Sequence, residues 1–189
     1  MIAAVVLAAG ASTRLGEPKQ LAMLAGETLL ERAVRVAREA GCEPVVVVLG
    51  ASYVEVLAGT FGRLGDAIPV INDKWAEGMA SSIRLGVRTL GFVAKDAEGV
   101  LLMTCDQPAV TAEHLRALVA AGEVTASAYA GRRGVPAYFP AASFAGLMKL
   151  RGDAGARELL RETPAVELVD GELDVDTAAD WTEAKRLFG

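Results

Sequence analysis

The sequence predicts an α/β fold: a mostly parallel sheet flanked by helices, in one domain spanning residues 1–189. Three observations support this. Short, nearly continuous runs of apolar and β-branched residues recur through the first half of the chain. Segments with apolar residues at helical spacing lie between them. Helix start and stop signals separate the two kinds of segment. Strands covered on both faces read as continuous apolar runs, and strand, helix, strand in succession winds a parallel sheet through right-handed crossovers.

The first run is IAAVVLA (2–8), followed by PVVVVL (44–49), DAIPVI (66–71) and GVLLMT (99–104). Between the first two, Leu29, Leu30, Ala33, Val34 and Ala37 fall on one helical face. Thr28 and Glu31 form a T-x-x-E capping box and Gly41 is a stop signal, so a helix is expected over 28–40. A second helix is expected over 79–90 and a third over 112–121, with Thr111 as its N-cap. After residue 122 the rhythm changes. ASAYAGRRGVPAYF (126–139) reads as a hairpin turning at Gly131-Arg132-Arg133-Gly134. Short helices over 141–149 and 154–162, a strand near 166–169 and a final helix capped by Thr177 and Asp180 complete the chain. No internal repeat or linker interrupts it.

Composition narrows the functional classes. Of 189 residues, 52% are hydrophobic and 23% charged, which places the chain among globular proteins. A net charge of −5 provides no basic field for a nucleic-acid backbone. Cys42 and Cys105 lie far apart with no CxxC pair, so neither a disulfide framework nor a structural zinc is expected, and a reducing cytoplasm is. The apolar start MIAAVVLAAGAS lacks a basic leader and is too short to span a bilayer, so no membrane partner is expected.

The segment most suggestive of chemistry is LAAGASTRLGEPKQL (7–21). It leaves the carboxyl end of the first predicted strand, where open parallel sheets bind ligands. A dinucleotide fingerprint needs G-x-G-x-x-G, but here Gly10 and Gly16 are separated by Ser12 and its neighbours. A Walker A loop needs G-x-x-x-x-G-K-[ST], but Lys19 lies three beyond Gly16 and precedes Gln20. A surface loop with solvated charges is the plain alternative. His114, the sole histidine, reads as a surface residue in the first turn of its helix.

The pattern LAAG-x-S-x-R-x-G-x-x-K-Q-L resembles the signature of the MobA-like nucleotidyltransferases, within the wider glycosyltransferase-A-like group. It is carried here by Leu7, Ala8, Ala9, Gly10, Ser12, Arg14, Gly16 and Lys19. The resemblance implies an enzyme that joins a nucleoside triphosphate to a phosphorylated acceptor and releases pyrophosphate. Leu7, Ala9, Gly10, Ser12, Arg14 and Lys19 are then expected to bind nucleotide, with Arg14 and Lys19 catalytic. An arginine forks across phosphate oxygens and a lysine acts as a point charge. Both accelerate transfer only where charge grows in the transition state.

CDQP (105–108) ends the strand GVLLMTC and resembles the family's metal-binding segment, which assigns Asp106 to Mg²⁺. Read alone, Asp106 is equally a turn aspartate. LDVDTAADW (173–181) resembles the family's D-[IV]-D-T-x-x-D ending and assigns Asp176 to the same metal. The plain alternative is that these aspartates only load a helix N-terminus. INDKWAEGMASSIRLGV (71–87) resembles the nucleotide-facing region, with Gly78 and Ser82 facing the nucleotide, although Ser81 also reads as an N-cap.

LAAG resembles the cytidylyltransferase branch and sugar-phosphate relatives, whereas guanylyltransferases typically read LAGG; a methyl at Ala9 narrows the base pocket in favour of a pyrimidine, so CTP is expected, with UTP next. GVPAYFP (134–140) and GDAGAR (152–157) resemble acceptor-facing stretches of the molybdenum-cofactor cytidylyltransferases. They imply molybdopterin as acceptor, with Gly134, Asp153 and Arg157 on it, and a molybdoenzyme apo-protein as the downstream partner. A plain capped helix also accounts for 152–157. A sugar- or polyol-phosphate nucleotidyltransferase or a guanylyltransferase of the same fold stands as the alternative, as does a cofactor-binding chaperone without turnover.

Overall fold

The computed structural model describes residues 1–153 and 155–189. In chain order the elements are β1 (Ile2–Ala8), a two-residue hairpin of β2 (Met23–Leu24) and β3 (Glu27–Thr28), α1 (Leu29–Glu39), β4 (Val45–Leu49), α2 (Tyr53–Gly59) and β5 (Ile68–Ile71). They continue as α3 (Met79–Val93), β6 (Gly99–Thr104), α4 (Ala112–Ala120), β7 (Thr125–Tyr129), β8 (Arg132–Pro140), α5 (Phe144–Leu147), α6 (Arg157–Leu160), β9 (Ala165–Glu167) and α7 (Ala178–Phe188). Seven strands form one sheet in the order β5-β4-β1-β6-β8-β7-β9. β5, β4, β1 and β6 run parallel; β8 then joins β6 antiparallel and carries β7 as a hairpin partner.

β1 explains why the two cores separate. Its side chains alternate across the sheet. Ala4, Val6 and Ala8 join Leu30, Val34, Leu115 and Leu118 on the α1 and α4 face. Ala3, Val5 and Leu7 join Ile83, Val87, Leu90, Leu147 and Leu160 beneath α3, α5 and α6. The helix α3 lies so close that a Cβ on Gly86 would sit 2.4 Å from Val5 Cγ1. A third cluster of Ala22, Leu24, Leu29, Val175 and Ala184 docks the tail and α7 onto the small hairpin.

The expected strands and helices of the first half are present, and Thr28 and Glu31 form the reciprocal capping box. Sequence patterning missed α2 and the β2–β3 hairpin, both too short to establish a period. Three corrections follow. The hairpin turns at Ala130-Gly131, one pair before the expected position, because these two residues adopt positive φ of 47° and 70°. Such a two-residue turn matches the twist of the flanking strands, and Arg132 and Arg133 become strand residues paired with Tyr129 and Ala128. The expected helix over 141–149 is present as a 3₁₀ turn at Ala141–Ser143 that runs into α5, whereas the one expected over 154–162 shrinks to a single turn at α6; Ala154 lies outside the described residues.

His114 is not a surface residue. The pitch of α4 turns it inward, where it is 7% exposed, with Nε2 2.7 Å from Ser127 Oγ. The Ser127 hydroxyl donates to the Pro136 carbonyl, so the imidazole donates to Ser127 from Nε2.

Candidate active site

The loop after β1 is pinned by its own side chains. Ser12 sits at a φ of 53°, and its Oγ accepts the Lys19 N–H at 3.0 Å. Buried Gln20 donates from Nε2 to the carbonyls of Ala8 and Gly10, on either side of Ala9. These bonds fold residues 8–20 into a closed lobe that points Lys19 back across the end of the sheet. Ser12 therefore builds the loop and lines neither recess described below.

Lys19 Nζ lies 2.5 Å from Asp106 Oδ2 and 2.6 Å from Asp176 Oδ1. Arg14 Nη2 donates to the other oxygen of Asp176 at 2.9 Å. Side chains from the beginning, middle and end of the chain thus converge at the carboxyl ends of β1 and β6. The tail is tied there by the Val175 N–H, which donates to the Asp106 carbonyl at 2.9 Å. Gln107 adds a second tie, accepting from Thr104 Oγ1 and donating to the Gly171 carbonyl. Burial opposes charge on the Lys19 ammonium. The Asp106 carboxylate beside it and hydrogen bonds to Asp106 and Asp176 outweigh that cost and raise its pKa.

Two recesses open from this cluster. The larger, about 530 Å³, is lined by Leu7, Ala9, Gly10, Lys19, Trp75, Gly78, Met79, Ser82, Asp106 and Asp153. The smaller, about 270 Å³, shares Lys19, Met79 and Asp106 and adds Tyr129, Arg132, Arg133, Gly134, Arg157, Asp174 and Asp176. Leu7, Ala9, Gly10, Gly78 and Ser82, expected around a nucleotide, share the larger recess. Gly134 and Arg157, expected on the acceptor, share the smaller one. Asp153 departs from that grouping. It faces the larger recess, and its carboxylate accepts the Met79 N–H at 3.4 Å, at the start of α3. Arg14 lies at the rim, with a side chain 70% exposed.

The α3 N-terminus is built by Gly78 and not by Ser81 as cap. Gly78 has a φ of 102°, and a Cβ there would strike the Gly152 carbonyl carbon at 2.7 Å. Ser81 lies inside the helix and donates back to carbonyls of Lys74 and Gly78. Sequence reasoning missed Asn72. Its Oδ1 accepts the Lys74 N–H, and its Nδ2 donates to both Ser81 and Ser82. Gln20 and Asn72 are buried amides that hold the walls of the larger recess, as Gln107 does for the smaller one. The only signal for either was an uncharged polar residue inside an otherwise functional motif.

Asp106 and Asp176 suit a divalent cation shared with phosphates, since Mg²⁺ takes one or two carboxylates plus substrate oxygens and water. Asp106 Oδ1 is buried with no hydrogen-bond partner among the described residues, a spare acceptor that a cation would satisfy. No closed group of three or more such ligands exists among the described residues. Asp174 stands nearby with its pKa raised to about 6, chiefly by burial and then by the Asp106 carboxylate. Cys105 is buried and its thiol is pushed up to about 12, so it is no nucleophile at neutral pH.

Residues 4–167 match the family described as the MobA-like NTP transferase domain. The chain is 35% identical over 200 residues to nicotine blue oxidoreductase of Paenarthrobacter nicotinovorans, covering 99% of this chain and 95% of that one. A stretch of 47 residues is 57% identical to a probable molybdenum cofactor guanylyltransferase of Opitutus terrae, covering 25% and 23% of the two chains. Among solved structures, a Methanothermobacter nucleotidyl transferase (Mth528) superposes with a TM-score of 0.84 at 27% identity, covering 100% and 97%. Rv0371c of Mycobacterium tuberculosis, solved as a complex with manganese, superposes with a TM-score of 0.75 at 32% identity, covering 98% of each chain. This chain belongs to the MobA-like NTP transferase family.

Proposed function

We propose that this MobA-like NTP transferase, acting as one domain over residues 1–189 in the cytoplasm, transfers CMP from CTP to the phosphate of molybdopterin and releases pyrophosphate. The observation that carries the reading is the meeting of Arg14, Lys19, Asp106 and Asp176 at the ligand edge of a parallel sheet, between a larger and a smaller recess. An oxygen of the acceptor phosphate attacks the α-phosphorus in line, and the bond from that phosphorus to the bridging oxygen breaks. Lys19 and Arg14 offset the charge that passes to the leaving pyrophosphate. The acceptor phosphate is ionised at neutral pH, so the reaction requires no general base.

Mg²⁺ held by Asp106 and Asp176 would supply charge neutralisation for the phosphates. Backbone N–H groups around Gly10 approach the nucleotide where a side chain would block it. The Ala9 methyl narrows the wall beside the base and supports a pyrimidine. In the smaller recess, Gly134 and Arg157 receive the acceptor, with Arg132 beside them.

The test is pyrophosphate release with each of CTP, GTP, UTP and ATP, with Mg²⁺ or Mn²⁺, and with molybdopterin, a sugar phosphate or a polyol phosphate as acceptor. Release with CTP and molybdopterin is expected. Release with GTP alone would replace the cytidine assignment, and nucleotide binding without release would favour a chaperone. The Paenarthrobacter relative, similar along its whole length, motivates one redox reading. Redox turnover of nicotine blue, with no pyrophosphate release under any condition, would favour it.

A further inference from the structure

We propose that Lys19 fills the cation position between Asp106 and Asp176 in the nucleotide-free protein, so that a divalent cation binds there only together with a nucleotide. The inference rests on the nucleotidyltransferase reading and narrows its substrate to the metal–nucleotide complex, as opposed to metal and nucleotide taken up independently.

The charges balance without a metal. Lys19 Nζ contacts one oxygen of each carboxylate at 2.5 and 2.6 Å, and Arg14 takes the second oxygen of Asp176 at 2.9 Å. Two cations therefore face two carboxylates. A divalent ion arriving alone meets ligands that are already neutralised, with an ammonium between them and a guanidinium beside them. It would have to shed part of a tightly held hydration shell and expel Lys19, whose side chain is only 14% exposed and is paired with both carboxylates.

A nucleotide changes the balance. Its phosphates offer new acceptors to both Lys19 and Arg14 and supply oxygen ligands to the incoming ion. The backbone need not move. The Lys19 N–H is held by Ser12 Oγ and the adjoining loop by Gln20, while the Lys19 stem is a flexible four-carbon chain. Displacement of Nζ from carboxylates to phosphates is a side-chain rotation from a fixed anchor. The same residue thus keeps the acidic pair closed to stray ions and then serves the phosphates.

The test uses the full chain and Mn²⁺ alone, followed by electron paramagnetic resonance of the unbound ion. Without nucleotide, Lys19→Met is expected to bind Mn²⁺ at least about tenfold more tightly than the wild type, the effect of removing one competing charge. Adding CTP should raise Mn²⁺ affinity strongly in the wild type and much less in Lys19→Met. Adding Asp106→Asn to Lys19→Met should erase the gain. Lys19→Gln, which keeps a donor without the charge, repeats the comparison if Lys19→Met fails to fold. Equal Mn²⁺ affinity of wild type and Lys19→Met without nucleotide would overturn the proposal, as would a gain that survives Asp106→Asn. The Lys19 comparison needs neither turnover nor acceptor. Failure of pyrophosphate release would strike the assigned reaction, whereas an unchanged Mn²⁺ affinity would strike this inference.

Discussion

The parallel and antiparallel halves of the sheet are held by different forces. In β1 and β4 every residue is apolar, and water exclusion from both faces does the work. Beyond β6, buried polar groups enter the strands themselves: Thr125 and Ser127 on β7 are 1% and 0% exposed, and His114 reaches Ser127 from α4. A bulge at the Ala126/Ser127 step interrupts the pairing of β7 with β8. The parallel strands are a dry scaffold, with the buried amides Gln20 and Asn72 in the loops at their carboxyl ends, while the hairpin half is a hydrogen-bonded wall that shapes the smaller recess. A family that keeps one reaction and changes acceptors would place its variation in the second.

The largest effect should come at the seam. Asp106→Ala is expected to lower kcat for pyrophosphate release by about a thousandfold while leaving the far-ultraviolet circular dichroism spectrum unchanged. Normal turnover would deny the seam its chemical role. Next is Leu102→Ala on β6, fully buried under the α3 face. It should cost about 2–5 kcal/mol in urea unfolding, and a cost below 1 kcal/mol, within the range of surface changes, would contradict the dry-scaffold account.

Gly86→Ala is the converse probe, since its methyl meets Val5 across the same core. It should destabilise by about 1–3 kcal/mol through overpacking. In the other half, burial lowers the His114 pKa below the ordinary 6.5. The unfolded chain then takes up that proton first, so the contribution to stability is intact above pH 6.5 and declines as the pH falls below it. Urea midpoints measured across this range should flatten in His114→Gln; an unaltered slope would remove the titrating imidazole from the account. Smallest is Arg132→Ala, which removes a guanidinium 5.2 Å from the Tyr129 ring centroid at the exposed start of β8. A loss of about 0.5–1 kcal/mol is expected.

The same division governed what could be read from the sequence. β1, β4, β6 and α1 were legible because each repeats one simple pattern over five or more residues and agrees with its caps. The hairpin turn was misplaced because two flexible-looking pairs, Ala130-Gly131 and Arg133-Gly134, compete, and only the backbone decides which takes positive φ. His114 escaped because the inward turn of α4 depends on where β7 lies. In the site, Asp106 stood out at the end of a predicted strand, and Lys19 and Asp176 through the resemblance of their segments to the family's motifs. Gln20 and Asn72 did not, because a buried amide acts through carbonyls and hydroxyls distant in sequence.

The bond from the Val175 N–H to the Asp106 carbonyl has a consequence in time. A polypeptide leaving the ribosome presents its ammonium and first carboxylate long before the second carboxylate and the helix that follows it. Under the proposed roles of Asp106 and Asp176, a chain whose last stretch has not yet emerged and docked holds half of its acidic pair and turns over no nucleotide. Synthesis itself would thus delay nucleotide consumption until the protein can perform the whole reaction.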